Sequence, residues 1–163
     1  MIGDGTGNTP IGIINSGATN AGGGAVLTWA EVLNFIALVE VANALQGSLG
    51  WAMHPEIKKI LRSTLVAGST DSRMIMTDPN SLAGYPVASS TALPGASTGA
   101  SGCVIFGAWQ DLLIGSWSGV DLLLNPFDSV GYLKGRVLLR ALKDVDVQVR
   151  HAESFAFQND VTI

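Results

Sequence analysis

The sequence predicts an α+β fold, and three of its features lead to that prediction. Residues 29–45 place apolar side chains at helical spacing behind a capping motif. Short apolar runs with the composition of strands follow at residues 51–53, 85–90 and 104–106. Residues 137–149 then alternate between apolar and polar side chains with the period of two that marks a strand. At 163 residues the chain has the length of one domain, which can bury a core without disulfides or metals.

Composition favours a chain that associates with copies of itself or with a partner. Apolar residues make up 47% of the sequence and charged residues only 13%, about half the usual share. Charge is depleted in the cores of protein interfaces, so a low charge content suggests hidden surface. The alternative is a large core beneath a surface of Ser, Thr and Asn. The net charge of −4 and the lack of a basic stripe argue against direct nucleic-acid binding.

Other features bear on compartment and redox chemistry. Cys103 is the sole cysteine, which excludes an intrachain disulfide and a cysteine-based zinc site. Its place before an apolar strand predicts a buried, inert thiol, and a reducing intracellular environment fits. Residues 1–4 lack the basic and apolar regions of a signal peptide, so we expect none. The apolar stretch 29–45 is too short and too polar to cross a bilayer, so we expect no membrane partner.

Residues 1–25 are rich in glycine and predict loops. The segment Gly3-Asp4-Gly5-Thr6-Gly7 has some of the glycine spacing of a phosphate-binding loop. That motif requires a strand directly before it and a helix directly after it, and neither is predicted here. We therefore interpret the segment as a turn.

The first helix is predicted from Trp29 to about Leu45. Thr28 is a favourable N-cap, and Glu31 three residues later completes a capping box. An apolar stripe covers most of the helix circumference, so we expect a largely buried helix that ends at Gly47 and Gly50. The positions that follow the 3.6-residue spacing are Val32, Phe35, Ile36, Val39 and Asn43, and Leu33 and Leu38 widen the apolar stripe.

The next segments predict a strand, a helix and a loop. Residues 51–53 form the strand, and Pro55 occupies the first position of a helix that ends near Arg62. Residues 65–81 form a loop with an Asp71/Arg73 pair.

Strands alternate with turns in the region that follows. Residues 85–90 are predicted to form a strand whose first part is edge-like because of Pro86, and residues 91–102 a polar surface loop. Residues 104–106 form a strand and residues 109–113 a helical turn. Two further strands lie within residues 114–124, turned near Ser118-Gly119.

The longest regular pattern lies at residues 137–149. Val137, Leu139, Val145, Val147 and Val149 share one side of the alternation, and Lys143 alone interrupts it. Because the phase survives throughout, we predict one unbroken strand rather than a hairpin. At ~3.3 Å per residue such a strand spans on the order of 40 Å and would extend beyond the core as an arm.

A serine hydrolase is the enzymatic alternative. Gly95-Ala96-Ser97-Thr98-Gly99 matches the nucleophile-elbow motif, and Asp111 or Asp121 and then His151 follow in the chain order of that class. The elbow requires a strand before Ser97 and a helix after it, whereas loop-like residues flank it on both sides. We prefer a coincidence in a Gly/Ser/Ala-rich loop and predict no catalytic residue.

The remaining polar and aromatic residues predict no metal or cofactor site. His54 and His151 are the only histidines and lack clustered carboxylates, so a metal lacks ligands. We interpret His54 as a helix-entry residue, and Asp144 and Asp146 as part of a charged strand face rather than an acid/base pair. The tryptophans are interpreted as core or interface anchors: Trp29, Trp51, Trp109 and Trp117.

Five segments carry a resemblance to a known family. They are Gly3-Asp4-Gly5-Thr6-Gly7-Asn8-Thr9-Pro10-Ile11-Gly12-Ile13, Trp51-Ala52-Met53-His54-Pro55, Leu82-Ala83-Gly84-Tyr85-Pro86-Val87, Val104-Ile105-Phe106-Gly107-Ala108-Trp109 and Glu153-Ser154-Phe155-Ala156-Phe157. In this order and spacing they resemble the C-terminal half of tailed-phage major capsid proteins of the Hong Kong 97 type. The likeness extends from Ile2 to Phe157.

The resemblance implies an axial-domain mixed sheet flanked by helices, plus a long strand from the peripheral domain. It divides the chain into a peripheral-domain remnant or loop at residues 1–11, an axial-like domain at 12–124 and a peripheral-domain strand segment at 125–163. It implies a non-enzymatic structural subunit, here a fragment, of a phage or prophage icosahedral capsid. Such a subunit is made in the host cytoplasm, binds copies of itself as pentamers and hexamers, and resides in the virion.

The chain also departs from the family pattern. The N-terminal arm, extended loop and spine helix that precede the Gly-Asp-Gly segment in the family are missing, so the resemblance implies a truncated subunit. Ala108 stands where the family often has Asp after Phe-Gly. The Lys–Asn isopeptide cross-link of some members is not expected, because the sequence has no Asn or Glu between Tyr132 and Arg150. An encapsulin-type nanocompartment shell, which resembles the same fold, is the alternative.

Overall fold

The computed structural model describes residues 3–22, 26–67, 72–94, 101–127, 131 and 133–162. The chain forms two compact units. The first comprises Met1–Leu112 with Gln148–Ile163, and the second, which we call the ribbon, comprises Leu113–Val147. The helices are α1 (Trp29–Val41) and α2 (Pro55–Leu61). The strands are β1 (Thr19–Asn20), β2 (Leu49–Met53), β3 (Ser81–Leu82), β4 (Tyr85–Ser89), β5 (Gly102–Ala108), β6 (Leu112–Ser116), β7 (Asp121–Asn125), β8 (Leu138–Leu142), β9 (Val145–Val149) and β10 (Phe155–Val161).

The first unit is built on a mixed six-stranded sheet in the order β1-β10-β5-β2-β4-β3. The central strand β5 runs antiparallel to both β10 and β2, whereas β2 and β4 are parallel. All seven residues of β5 are buried, because side chains cover both faces of the sheet. This explains why β5 reads as a continuous apolar run instead of an alternating one.

Aromatic side chains form the centre of the core on the α1 side of the sheet. Trp51 and Phe106 lie directly opposite each other on β2 and β5, with ring centroids 4.5 Å apart. Phe35 of α1 meets the Trp51 ring edge-on at 5.5 Å, and the Trp51 indole N–H donates to the Leu82 carbonyl oxygen at 3.0 Å. This cluster fixes α1 and the β3–β4 hairpin on the sheet. On the other sheet face, Ile13, Leu93 and Phe155 pack with Ala52 and Ile105.

Helix α1 begins as predicted and ends earlier than predicted. The Glu31 N–H donates to the Thr28 side chain at 3.3 Å, and the Thr28 N–H donates to Glu31 Oε2 at 2.6 Å, which completes the capping box. The expected end near Leu45 is wrong, because Asn43 takes a left-handed conformation at φ 56°. The Ala44 N–H then donates back to the Val39 carbonyl oxygen at 3.0 Å, a Schellman-type ending.

The prediction of a largely buried α1 is also wrong for one side of the helix. Val32, Phe35 and Val39 are buried against the sheet. Leu33 and Val41, on the opposite side, are 45% and 81% exposed. The apolar stripe is wider than the sheet that covers it, so part of it faces outward.

The other short elements of the first unit follow the prediction except at β4. Strands β2 and β5 include the predicted runs, β4 ends one residue before its predicted end, α2 begins at Pro55, and a 3-10 turn occupies Trp109–Asp111. The predicted edge position at Pro86 is wrong, because β3 pairs with Tyr85 and Pro86 and β4 lies between β2 and β3. The Gly3–Gly7 segment is a turn in which the Thr6 N–H and hydroxyl both donate to the Asp4 carboxylate, at 3.1 and 2.7 Å. Asp71 of the predicted Asp71/Arg73 pair lies outside the described residues.

The predicted unbroken strand over residues 137–149 is wrong. The structure contains two strands, β8 and β9, separated at Lys143 and Asp144, and they pair with different partners: β8 with β7, and β9 with β6. At the break the Asp144 N–H donates to the Ser118 hydroxyl at 3.0 Å, and the Trp117 N–H donates to the Asp144 carbonyl oxygen. The backbone of Asp144 is thus engaged by the 117–120 connection, and the ladder is interrupted there. The alternation of apolar and polar residues keeps its phase across the break because two residues, Lys143 and Asp144, separate β8 from β9.

The two strands predicted within residues 114–124 are confirmed as β6 and β7, separated at residues 117–120. The first of these strands pairs with β9 and the second with β8. The predicted division at residues 11 and 124 into peripheral and axial parts stays a prediction.

Candidate assembly surfaces

The ribbon concentrates most of the exposed apolar surface of the described chain. Fourteen of the eighteen large hydrophobic side chains that are exposed there lie between Leu113 and Val145. None of the residues of β7 or β8 is buried. A two-stranded ribbon has no second layer to cover its side chains, and such pairs are marginally stable alone. An apolar patch of this extent marks an interaction surface.

The register of β7 and β8 divides the ribbon into two faces of different character. Directly opposite residues of an antiparallel pair share a face. Leu122 lies opposite Ala141, and Leu124 opposite Leu139, so these four residues form a wholly apolar face. The alternate pairs are Asp121 with Leu142, Leu123 with Arg140, and Asn125 with Leu138, and we call them the mixed face. Both faces are exposed, with Leu122, Leu124 and Leu139 at 61%, 71% and 60%.

The first unit contributes one further apolar surface. Ala30, Leu33, Ala37 and Val41 recur every three or four residues along α1 and are all exposed. This spacing places them on one side of the helix, opposite the buried residues. Glu40 is exposed beside them. We call these five residues the outer face of α1.

The residues considered for hydrolysis do not form a demonstrated catalytic site. Ser97 lies outside the described residues. Asp111 and His151 line one polar cleft of about 380 Å³ together with Arg150, Glu153 and Ser154. The buried Ser154 hydroxyl donates to Asp111 Oδ2 at 2.6 Å, so this carboxylate is engaged in holding the 3-10 turn Ala152–Ser154. Asp121 lies in the ribbon, on the mixed face.

The other polar candidates have structural roles. His54 is the N-cap of α2, and its Nδ1 accepts the Glu56 N–H at 3.3 Å. Asp146 accepts the N–H of the next residue, Val147, at 2.8 Å, and Asp144 takes part in the strand break described above. Within the described part of the chain, no three His, Cys, Asp or Glu side chains are grouped to hold a metal ion.

Cys103 lies in the middle of the core on β5 and is fully buried. Burial raises the pKa of its thiol to about 11, because the thiolate would lose its hydration. The group therefore stays protonated at neutral pH and is a poor nucleophile.

The tryptophans divide between the core and the ribbon. Trp51 is buried, and the Trp109 indole N–H donates to the Gly50 carbonyl oxygen at 2.9 Å. Trp117 is exposed in the ribbon. Over the described residues, none of the helices has the length and apolar content to span a membrane.

Comparisons with known proteins agree on one family. The model of the Phage capsid family matches residues 1–160. The chain is 26% identical over 157 residues to the major capsid protein of Halomonas phage phiHAP-1, an alignment that covers 96% of this chain and 24% of that protein. The chain thus spans about a quarter of the length of this curated relative.

Two solved structures show the same fold at low identity. The capsid of a native GTA particle superposes with a TM-score of 0.67 at 18% identity, over 99% of this chain and 59% of that chain. The SrpI encapsulin complex from Synechococcus elongatus superposes with a TM-score of 0.57 at 13% identity, over 94% and 58%. These matches confirm the α+β architecture that the sequence resemblance implied.

Proposed function

Because the chain belongs to the Phage capsid family, whose model matches residues 1–160, we propose that it is a structural subunit, or part of one, of a phage or prophage icosahedral capsid. It acts by self-assembly and resides in the virion after synthesis in the host cytoplasm. Its partners are copies of itself, arranged as pentamers and hexamers, and it does not bind nucleic acid directly. It is not an enzyme.

The observation that supports assembly most strongly is the ribbon. A pair of strands with one wholly apolar face and one mixed face, both exposed, has a lower free energy when other protein covers it. Burying the Leu122, Leu124 and Leu139 side chains stabilises an assembly by about 1.5–3 kcal/mol for each side chain that becomes fully covered. No catalytic arrangement among the described residues offers a comparable explanation.

The test is the association of the wild-type chain and of Leu124→Asp, measured by sedimentation velocity over a wide range of concentration. We expect the wild type to associate as concentration rises. An aspartate on the apolar face would have to be desolvated in the contact, so we expect the dissociation constant of the Leu124→Asp assembly to be about tenfold higher or more. Val26→Asp, at an exposed valine outside the ribbon, is the matched control and leaves association unchanged.

Two results would refute the proposal. One is a wild-type chain that stays monomeric at the highest concentration reached. The other is equal association of Leu124→Asp and wild type, since the ribbon would then have no part in it. Circular dichroism verifies that each variant retains the wild-type fold.

An encapsulin-type nanocompartment shell is the second candidate, because the encapsulin complex superposes over 94% of the chain. Both candidates assemble a closed shell and predict the same behaviour of the ribbon. The genes beside the coding sequence separate them: portal and terminase genes favour the phage capsid, and a cargo-enzyme gene favours the compartment.

A further inference from the structure

Charge is segregated along the chain in a way that the net charge of −4 conceals. Residues 1–57 contain Asp4, Glu31, Glu40 and Glu56 and no lysine or arginine. Residues 129–143 contain Lys134, Arg136, Arg140 and Lys143 and no carboxylate. The acidic segment includes α1, and the basic segment includes β8. Of these residues, Glu40 lies exposed on the outer face of α1 and Arg140 lies exposed on the mixed face, which also carries Asp121. Opposite charges on two surfaces of one chain favour contact between copies.

The outer face of α1 and the mixed face of the ribbon match in length and in shape. On α1, Leu33 and Val41 are eight residues apart, about 12 Å along the helix axis. On β8, Leu138 and Leu142 are four residues apart, about 13 Å along the strand. The two leucines of β8 on the mixed face therefore lie at the same separation as Leu33 and Val41, and Leu123 of β7 lies on the same face opposite Arg140.

The residues between these apolar ends are complementary as well. The small side chain of Ala37 lies between Leu33 and Val41 and leaves room for the long stem of an arginine. Arg140 occupies the corresponding central position between Leu138 and Leu142, and it is exposed. Glu40, exposed one turn after Ala37 on α1, offers an acceptor for the Arg140 guanidinium.

We propose that the mixed face of the ribbon of one copy packs against the outer face of α1 of a second copy, with Arg140 paired to Glu40. This inference rests on the proposed function, since it names one of the contacts through which subunits assemble. Every copy supplies both faces, so the contact is heterologous and propagates from copy to copy until a ring closes. The wholly apolar face of the ribbon stays available for other contacts.

The test is a charge reversal on each side of the contact, singly and together, measured by sedimentation velocity. We expect Glu40→Arg and Arg140→Glu each to raise the dissociation constant about tenfold, because like charges then meet at the contact. The double variant carries the reversed pair in every copy, so we expect it to associate within about threefold of the wild type. Both residues are exposed, and circular dichroism confirms that the variants fold.

Two control variants match these changes in charge at exposed positions elsewhere. Glu153→Arg is the control for Glu40→Arg, and Lys59→Glu, on α2, is the control for Arg140→Glu. We expect neither to change the dissociation constant by more than about twofold.

The outcomes separate this inference from the proposed function. If the wild type does not associate, both fail. Suppose that the wild type associates and Leu124→Asp weakens that association. The proposed contact alone is then refuted if the single charge reversals raise the dissociation constant no more than their controls do. It is also refuted if the double variant does not regain the association of the wild type. It is also refuted if a DNA oligonucleotide binds the wild type and Arg140→Glu abolishes that binding while self-association is unchanged, since the basic segment would then serve nucleic acid.

Discussion

Strand β5 of the first unit and strands β7 and β8 of the ribbon are all rich in apolar residues, yet only β5 buries them. Strand β5 is buried over all seven residues, whereas β7 and β8 are exposed throughout. The difference is the number of layers. The sheet has α1 and α2 on one face and loops on the other, whereas β7 and β8 of the ribbon form a two-stranded ladder whose residues are all exposed. Apolar content thus predicts how much surface must be covered, and topology decides whether the chain covers it itself.

The largest effect expected is in the core. Phe106→Ala removes a ring that contacts both Trp51 and Tyr85, at centroid distances of 4.5 and 5.2 Å. We expect the free energy of unfolding to fall by about 3–5 kcal/mol. Leu124→Ala in the ribbon is the comparison, and because that side chain is exposed we expect a loss below about 0.5 kcal/mol. Urea unfolding followed by circular dichroism measures both, and similar losses would remove the distinction between the two regions.

An intermediate effect is expected at the start of α1. Thr28→Ala removes the side-chain acceptor of the Glu31 N–H and should lower the free energy of unfolding by about 1 kcal/mol. Thr28→Ser keeps the hydroxyl and should stay near the wild type. Thermal unfolding of the three proteins tests this, and equal loss in both variants would show that the methyl group, not the cap, stabilises this helix.

The smallest effect is expected in the exposed turn at Asp4. The hydrogen bonds donated by Thr6 lower the pKa of the Asp4 carboxyl below its usual range. A carboxyl with a depressed pKa stabilises the fold above the pKa of the unfolded chain, and this contribution is lost as the pH falls through the folded value. We therefore expect Asp4→Asn to reduce the acid dependence of stability slightly. NMR titration of Asp4 checks the cause, and a pKa at or above the usual value would contradict it.

Local patterns predicted where elements begin, and long-range packing decided where they end and what covers them. Thr28 and Glu31 identified the start of α1, because a capping box depends on four neighbouring residues. The sequence prediction used Gly47 as the helix stop, but the helix ends before the left-handed residue Asn43. Asparagine adopts the left-handed conformation only in some contexts, so the sequence alone did not identify this end. The exposure of Leu33 and Val41 depends on the width of the sheet beneath α1, which no local pattern records.

The ribbon shows the same limit for strands. Alternation over 137–149 identified extended chain correctly, but it carried no information about the partner of each half. The hydroxyl of Ser118, more than twenty residues away, engages the backbone of Asp144 and divides the strand. The low charge content had suggested that part of the surface is covered by a partner. It could not show which residues form the candidate assembly surfaces, because these depend on which strands pair.

Hydrogen–deuterium exchange of the wild-type chain at low and at high concentration tests the central claim most directly, since it reports protection strand by strand. The account predicts that β2, β5 and β10 are strongly protected at both concentrations. It predicts that β7 and β8 exchange rapidly when the protein is dilute and become protected when it is concentrated. A ribbon as protected as β5 in dilute solution, or one that stays unprotected at high concentration, would contradict the claim that other copies of the chain cover it.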